Sequence, residues 1–184
     1  MSSGVSNSEM DHRCVTGDRV ELIAWNLALI NAFEAGDQVA AERAIDVRFP
    51  DPFGPPPETG DALDFFREIV GTDEHRALFF PRMIVRKADR MSVGSIGITP
   101  PGEDGYAMIG YSVYPAFEGN GYASESARTL VEYGLTIGGL AGIYATIHPG
   151  NTGSEIVASR AGLVFTGEKR EEDGERLNVW WRLR

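Results

Sequence analysis

One segment constrains this chain more than any other: Ile109-Gly110-Tyr111-Ser112-Val113-Tyr114-Pro115, continuing as Ala116-Phe117-Glu118-Gly119-Asn120-Gly121-Tyr122-Ala123-Ser124-Glu125. A strand-like run stops at Pro115, two glycines follow, and a helical pattern starts at once. Glycine tolerates positive φ and close backbone approach, so successive N–H groups can converge on an anion at the helix N-terminus. Between Ala116 and Ala127 there is no lysine or arginine, and Glu118 and Glu125 are the only charges. A phosphate bound to these residues must therefore rest on backbone dipoles. The turn alone also reads as a plain strand-to-helix connection. It is not the three-glycine dinucleotide fingerprint, whose next strand ends in an acid where this one ends in His148. The Gly-Lys-Ser/Thr ending of a triphosphatase loop is missing too.

The flanking patterns set this turn in a mixed α/β domain. Residues 1–19 read as a polar, frayed leader, and 20–184 as a single domain. Val20 to Trp25 is a short strand. Leu27, Ile30, Phe33, Ala40 and Ala44 then recur at helical spacing over two short helices, with Asp37 as N-cap of the second. Phe49 to Gly60 has proline at five of twelve positions, which excludes helix and central strand and leaves an ordered loop or lid. A helix starts at Asp61. Strands are expected over Arg82–Lys87, Ser92–Thr99 and Tyr106–Val113, a long helix over Tyr122–Ile137, and a strand over Gly142–His148. A helix from Asn151 to Arg160 and two strands around Val164 and Val179 close the chain. The early part is antiparallel in character, and a βαβ unit follows.

Charge narrows the partners. The 27 acidic and 17 basic side chains are spread evenly, for a net charge of −10. Such a surface suits neither a nucleic-acid backbone nor polybasic attachment to a membrane, and it favours a small molecule or a cationic partner. Cys14 is the sole cysteine, which precludes an internal disulfide or a cysteine zinc cluster, and it reads as an incidental exposed thiol. No apolar stretch is long enough to span a bilayer, and a cytoplasmic location is expected.

The run from Ile109 to Glu125 resembles the acetyl-coenzyme A-binding motif of the GNAT N-acetyltransferase superfamily. In that motif a strand ends in Val-x-Pro, and a Gln/Arg-x-x-Gly-x-Gly/Ala turn opens the long central helix; Val113, Pro115, Gly121 and Ala123 match it. Asn151 with Ser154, and Ala161-Gly162-Leu163-Val164-Phe165 after them, are similar to the branch containing ribosomal-protein N-terminal acetyltransferases. The similarity extends from about Arg82 to Arg184. It implies a central splayed mixed sheet flanked by helices, with two short N-terminal helices. It further implies direct acetyl transfer from acetyl-coenzyme A, without a metal, to a primary amine on a small molecule or a protein N-terminus. Homodimers are common in similar enzymes.

By the same resemblance the Val113 N–H polarises the thioester carbonyl. The amides of Gly119, Asn120, Gly121, Tyr122, Ala123 and Ser124 hold the pyrophosphate, and Asn151 bonds the pantetheine arm while also serving as an N-cap. Ser154 is either the donor nearest the leaving thiolate or an ordinary first-turn residue. The chain departs from the pattern in three places. Glu118 replaces the usual Gln or Arg. Thr146 and Ala158 stand where peptide-acetylating relatives carry a glutamate base and a tyrosine acid. Thr146 is then a water-orienting residue, and His148, on the same strand face, is either a base or a surface loop residue. Tyr111 and Tyr114 line the cleft or pack the strand. Phe53 and one of Trp180 and Trp181 are candidates for the acceptor pocket, with core packing the simpler assignment. These departures also motivate a rival, a degenerate acyl-coenzyme A-binding module with little turnover.

Overall fold

The computed structural model describes residues 13–71, 74–136, 139–172 and 174–184. Eight strands form one sheet: β1 (Cys14–Thr16), β2 (Val20–Ala24), β3 (Arg82–Arg86), β4 (Met91–Ile98), β5 (Tyr106–Val113), β6 (Gly142–Ile147), β7 (Val164–Glu172) and β8 (Glu175–Leu183). Their order is β1-β2-β3-β4-β5-β6-β8-β7. Every neighbouring pair is antiparallel except β5 and β6, which run parallel. Parallel neighbours need a long crossover, and α4 (Tyr122–Thr136) supplies it.

The helices divide between the two faces according to their apolar stripes. Ala127, Leu130, Val131 and Leu135 of α4 pack with Ile96, Ile98, Ile109 and Ile143, and α5 (Thr152–Arg160) adds Ala158 to the same core. On the other face, α1 (Leu27–Ala35) and α2 (Gln38–Ile45) cover Met83 and Val85. Asn26 caps α1 by accepting from the Leu29 N–H, and Asp37 caps α2 by accepting from the Ala40 N–H, the cap expected from the sequence. Phe33, Phe49 and Phe53 meet with ring centroids 5.4 to 5.6 Å apart, and Trp25 adds Phe66 of α3 (Leu63–Val70) at 5.2 Å. The proline-rich segment is thereby an ordered loop, bolted to the α1 face through Phe49 and Phe53.

Two boundaries differ from the sequence reading. Part of the expected frayed leader is β1, where Val15 is buried and Cys14, Val15 and Thr16 pair with Ile23, Leu22 and Glu21. A three-residue strand carries too little periodicity to be seen without its partner. Residues 1–12 of that leader lie outside the described residues. The helix expected from Asp61 begins as a 3-10 turn (Gly60–Ala62) before α3. Cys14 is exposed, as expected.

Among the glycines of the described residues, Gly94 on β4 has the least room for a side chain. Gly94 pairs with Val113 beside a register shift opposite Ile84 and Val85. A Cβ on Gly94 would lie 2.2 Å from the Ser112 carbonyl oxygen and 2.9 Å from the Val113 Cα. Both obstacles are main chain and cannot swing aside. Gly94→Ala should therefore cost about 1–3 kcal/mol of stability, measurable by urea unfolding; an unchanged midpoint would show that β5 yields freely.

Candidate active site

β5 and β6 pair only at Tyr106–Gly142, Ala107–Ile143 and Met108–Tyr144, after which no further partners join them. Along a strand, alternate residues direct their N–H and C=O to opposite edges. The Tyr114 N–H donates to the Val93 carbonyl, and the Met108 carbonyl accepts from Thr99, so even-numbered residues of β5 face β4. Ile109, Tyr111 and Val113 consequently turn their main-chain groups toward the opening. The Val113 N–H, the proposed oxyanion donor, points into this gap.

The gap widens into a groove of about 640 Å³. Val113, Gly119, Gly121, Tyr122, Ala123, Ser124, Asn151 and Ser154 all line it. Gly119 and Gly121 have φ of 73° and 78°, the left-handed values that the turn requires. Asn120, also expected at the pyrophosphate, is not on the groove wall. Its side-chain amide donates to the carbonyls of Phe117 and Glu118 and braces the turn from behind. Across the groove, Asn151 caps α5 by accepting from the Ser154 N–H, and the Tyr111 hydroxyl donates to the Ser154 carbonyl at 2.9 Å. That bond ties β5 to the start of α5 over the opening. Burial pushes the Tyr111 phenol up to about 12, against the opposing effect of its bond to Ser154. Tyr111 thus keeps its proton and orients rather than titrates.

Sequence reasoning missed the cations. The turn has no basic residue of its own, yet Arg19, between β1 and β2, reaches it across the fold. One Arg19 nitrogen donates to the Asn120 carbonyl, another stands 3.5 Å from where a Gly121 Cβ would be, and the guanidinium lies over the Tyr122 ring. Arg86 stacks on Phe117 and approaches the Tyr122 hydroxyl, and Arg160 lines the groove. Cationic side chains thus stand near a turn that carries none of its own, with Arg19 paired to Glu125 and Arg86 to Asp89. Separations of about 100 residues left no local signal. Glu125, the second charge of that stretch, is buried and paired. It accepts from the Arg19 N–H at 2.6 Å and from Arg19 Nε at 2.8 Å. Burial raises its carboxyl, but the hydrogen bonds from Arg19 outweigh this and hold it below the usual range. Glu118 is exposed on the groove wall.

The candidate proton carriers fall elsewhere. The His148 side chain is 63% exposed, lies on neither cavity wall and pairs with Glu175 at 2.9 Å, which makes it a surface residue. Thr146 contacts the Met108 sulfur at 3.8 Å, outside the groove lining. Ala158 is core. Phe53 belongs to the aromatic cluster and not to a pocket, and Trp180 packs against the α4 core. Trp181 stacks near Tyr106 and Tyr144 and donates to Glu168. Tyr114 is buried, its hydroxyl donating to the Gly54 carbonyl at 2.7 Å. A second cavity of about 300 Å³ lies between α3 and strands β4 and β5, meeting the groove at Glu58, Tyr111 and Ser112. Among the described residues no three His, Cys, Asp or Glu are placed to hold a metal ion, and no helix is long and apolar enough to cross a membrane.

The Arg19 clamp has a pH signature. A carboxyl whose value is lowered by folding stabilises the fold above its unfolded value and loses that contribution as pH falls through the folded one. Glu125→Gln should be less stable than the parent by about 1 kcal/mol near neutral pH. The difference should shrink as pH falls through the lowered folded value and vanish once the parent carboxyl is itself protonated. Urea unfolding across that range checks both the sign and the window.

Comparison with known proteins agrees with this geometry. The family model for the acetyltransferase (GNAT) domain matches residues 19–164. The uncharacterized N-acetyltransferase YjdG of Bacillus subtilis is 27% identical over 112 residues, covering 60% of this chain and 67% of the relative. An acetyltransferase from Agrobacterium tumefaciens superposes with a TM-score of 0.65 at 21% identity, covering 98% of this chain and 100% of that one. RimL, a ribosomal L7/L12 alpha-N-protein acetyltransferase solved in complex with coenzyme A, superposes with a TM-score of 0.64 at 18% identity, over 92% and 97% of the two chains. At such identities the superpositions show the shared fold, and the family model shows membership. The chain belongs to the GNAT acetyltransferase family and is an acyltransferase.

Proposed function

We propose that this protein is an N-acetyltransferase that moves the acetyl group of acetyl-coenzyme A directly to a primary amine in the cytoplasm. The observation that carries this reading is the unpaired edge of β5: the Val113 N–H faces a gap with the glycine turn at one end and a second cavity beside it. Acetyl-coenzyme A fits the residues present. The amides of the turn from Gly119 to Ser124, with Arg19 near its mouth, suit the pyrophosphate; Asn151 and the free main-chain groups of β5 suit the amide-bearing arm. The amine attacks the thioester carbonyl while the Val113 N–H, a fixed dipole, stabilises the developing oxyanion. Ser154 stands at the start of α5 where a leaving thiolate would lie. With Thr146 and His148 away from the groove, the amine's proton leaves by another route.

A binding module without turnover would need only the groove. The adjoining cavity supplies the place for a second substrate and favours catalysis. Acetyl-coenzyme A should raise the melting temperature, and a panel of amines should release free thiol; neither response would leave the reading standing only as an unliganded fold. Gly121→Val should weaken acetyl-coenzyme A binding by at least about tenfold, since a β-branched residue resists φ near +78° and meets Arg19. Calorimetric titration of the folded variant measures this.

A further inference from the structure

We propose that the acceptor is a compact monoamine with an apolar body, seated beneath α3, and that Glu58 binds its ammonium group and takes its first proton. This inference rests on the acetyltransferase reading and names the substrate class of that same site. The second cavity is walled by Phe65, Phe66 and Ile69 of the α3 region on one side and by Ile96, Ile98 and Met108 of the sheet on the other. Its volume of about 300 Å³ is that of a small organic molecule, at the low end for ligand sites. Among the described residues on its wall, Glu58 is the only one with a charged side chain.

Glu58 also occupies the decisive place. With Tyr111 and Ser112 it is common to both cavities, and the reacting carbonyl near Val113 would lie just past them. An amine whose body fills the apolar cavity must present its nitrogen there. The backbone at Glu58 has φ +64°, a left-handed conformation that a side-chain-bearing residue adopts at a cost and that clusters at functional sites. The loop holds it from both sides. The Tyr114 hydroxyl bonds Gly54, Pro56 is buried, and the Thr59 N–H and hydroxyl both donate to the Pro56 carbonyl, at 3.1 and 2.6 Å. Among the described residues none pairs with the Glu58 carboxylate, which leaves it available to an incoming cation.

One carboxylate and an apolar wall discriminate among amines. A polyamine or aminoglycoside would bury further ammonium groups with no counter-charge, at a heavy desolvation penalty. A peptide would bury main-chain groups against side chains of phenylalanine and isoleucine. A monoamine with a hydrocarbon body places its single charge at Glu58. Desolvation against the cavity wall then favours the neutral amine. Glu58 accepts one ammonium proton, and the freed lone pair forms the C–N bond. The C–S bond breaks with its electrons on sulfur, and the second nitrogen proton passes through water to the thiolate. The products are the amide and the thiol, and Glu58, exposed to solvent, returns its proton to water.

Thiol release should be compared for phenethylamine, isoamylamine, spermidine, kanamycin and a hexapeptide with a free N-terminus. The two apolar monoamines should exceed the other three by at least about tenfold in kcat/KM, the discrimination that one misplaced charge imposes. Glu58→Gln should lower kcat/KM for phenethylamine by about a hundredfold or more, with acetyl-coenzyme A affinity unchanged. Glu58→Gly, which suits the left-handed backbone, should fold at least as stably as the parent and be equally impaired, separating chemistry from folding. Preference for spermidine, kanamycin or the peptide would overturn the inference while sustaining acetyl transfer. So would full activity in the Gln variant. Silence with every amine despite cofactor binding would remove both readings together.

Discussion

The parting of β5 and β6 is the constraint around which the molecule is arranged. Parallel neighbours normally continue their ladder, because main-chain groups left without partners in an interior are costly. These two strands stop pairing at Met108 and Tyr144. β6 remains stable because β8 occupies its other edge along its whole length, and β5 because β4 pairs with it from Ile109 to Val113, where β6 has parted from it. The bond from the Tyr111 hydroxyl to the Ser154 carbonyl spans the opening and sets its width. A ligand with its own amide groups can complete the ladder that the protein leaves unfinished. The main-chain N–H of Val113 faces the gap as a consequence of this vacancy and needs no dedicated side chain.

Two apolar assemblies frame the vacancy and do different work. The aliphatic core under α4 and α5 fixes the groove and the orientation of the glycine turn. The aromatic cluster on the opposite face fixes the proline-rich loop, and with it Glu58 and the roof over the second cavity. Gly94 links the two, since its lack of a side chain is what allows β4 and β5 to close behind the site. The groove and the second cavity thus rest on separate packing units and share Glu58, Tyr111 and Ser112 on their walls.

Much of this was legible in the residues themselves. Local signals sufficed for the elements: Asp37 before α2, the alternation of β2, and the proline-dense loop between helices all appear where their chemistry predicts. The groove residues Val113, Gly119, Gly121, Tyr122, Ala123 and Ser124, together with Asn151 and Ser154, came from a motif whose members are close in sequence. What could not be read depends on contacts between distant segments. Arg19 meets Glu125 and Asn120 after more than 100 intervening residues, β1 exists only because β2 offers an edge, and His148 is diverted by Glu175 on β8. Glu58 was hidden for a different reason: its significance lies in where two cavities meet, which no pattern along a chain encodes.

The Arg19–Glu125 pair joins the hairpin of β1 and β2 to the start of α4, beside the glycine turn. Its guanidinium faces two claimants, the buried carboxylate behind it and any anion arriving in front. Thermodynamic reciprocity then applies: whatever the bound anion adds to the seating of Arg19, the seated hairpin returns as tighter anion binding. Fraying of the edge strand β1 and anion binding at the turn would then form a single coupled equilibrium. An edge strand of the sheet would thereby report occupancy of a groove to which, among the described residues, it contributes no lining atom.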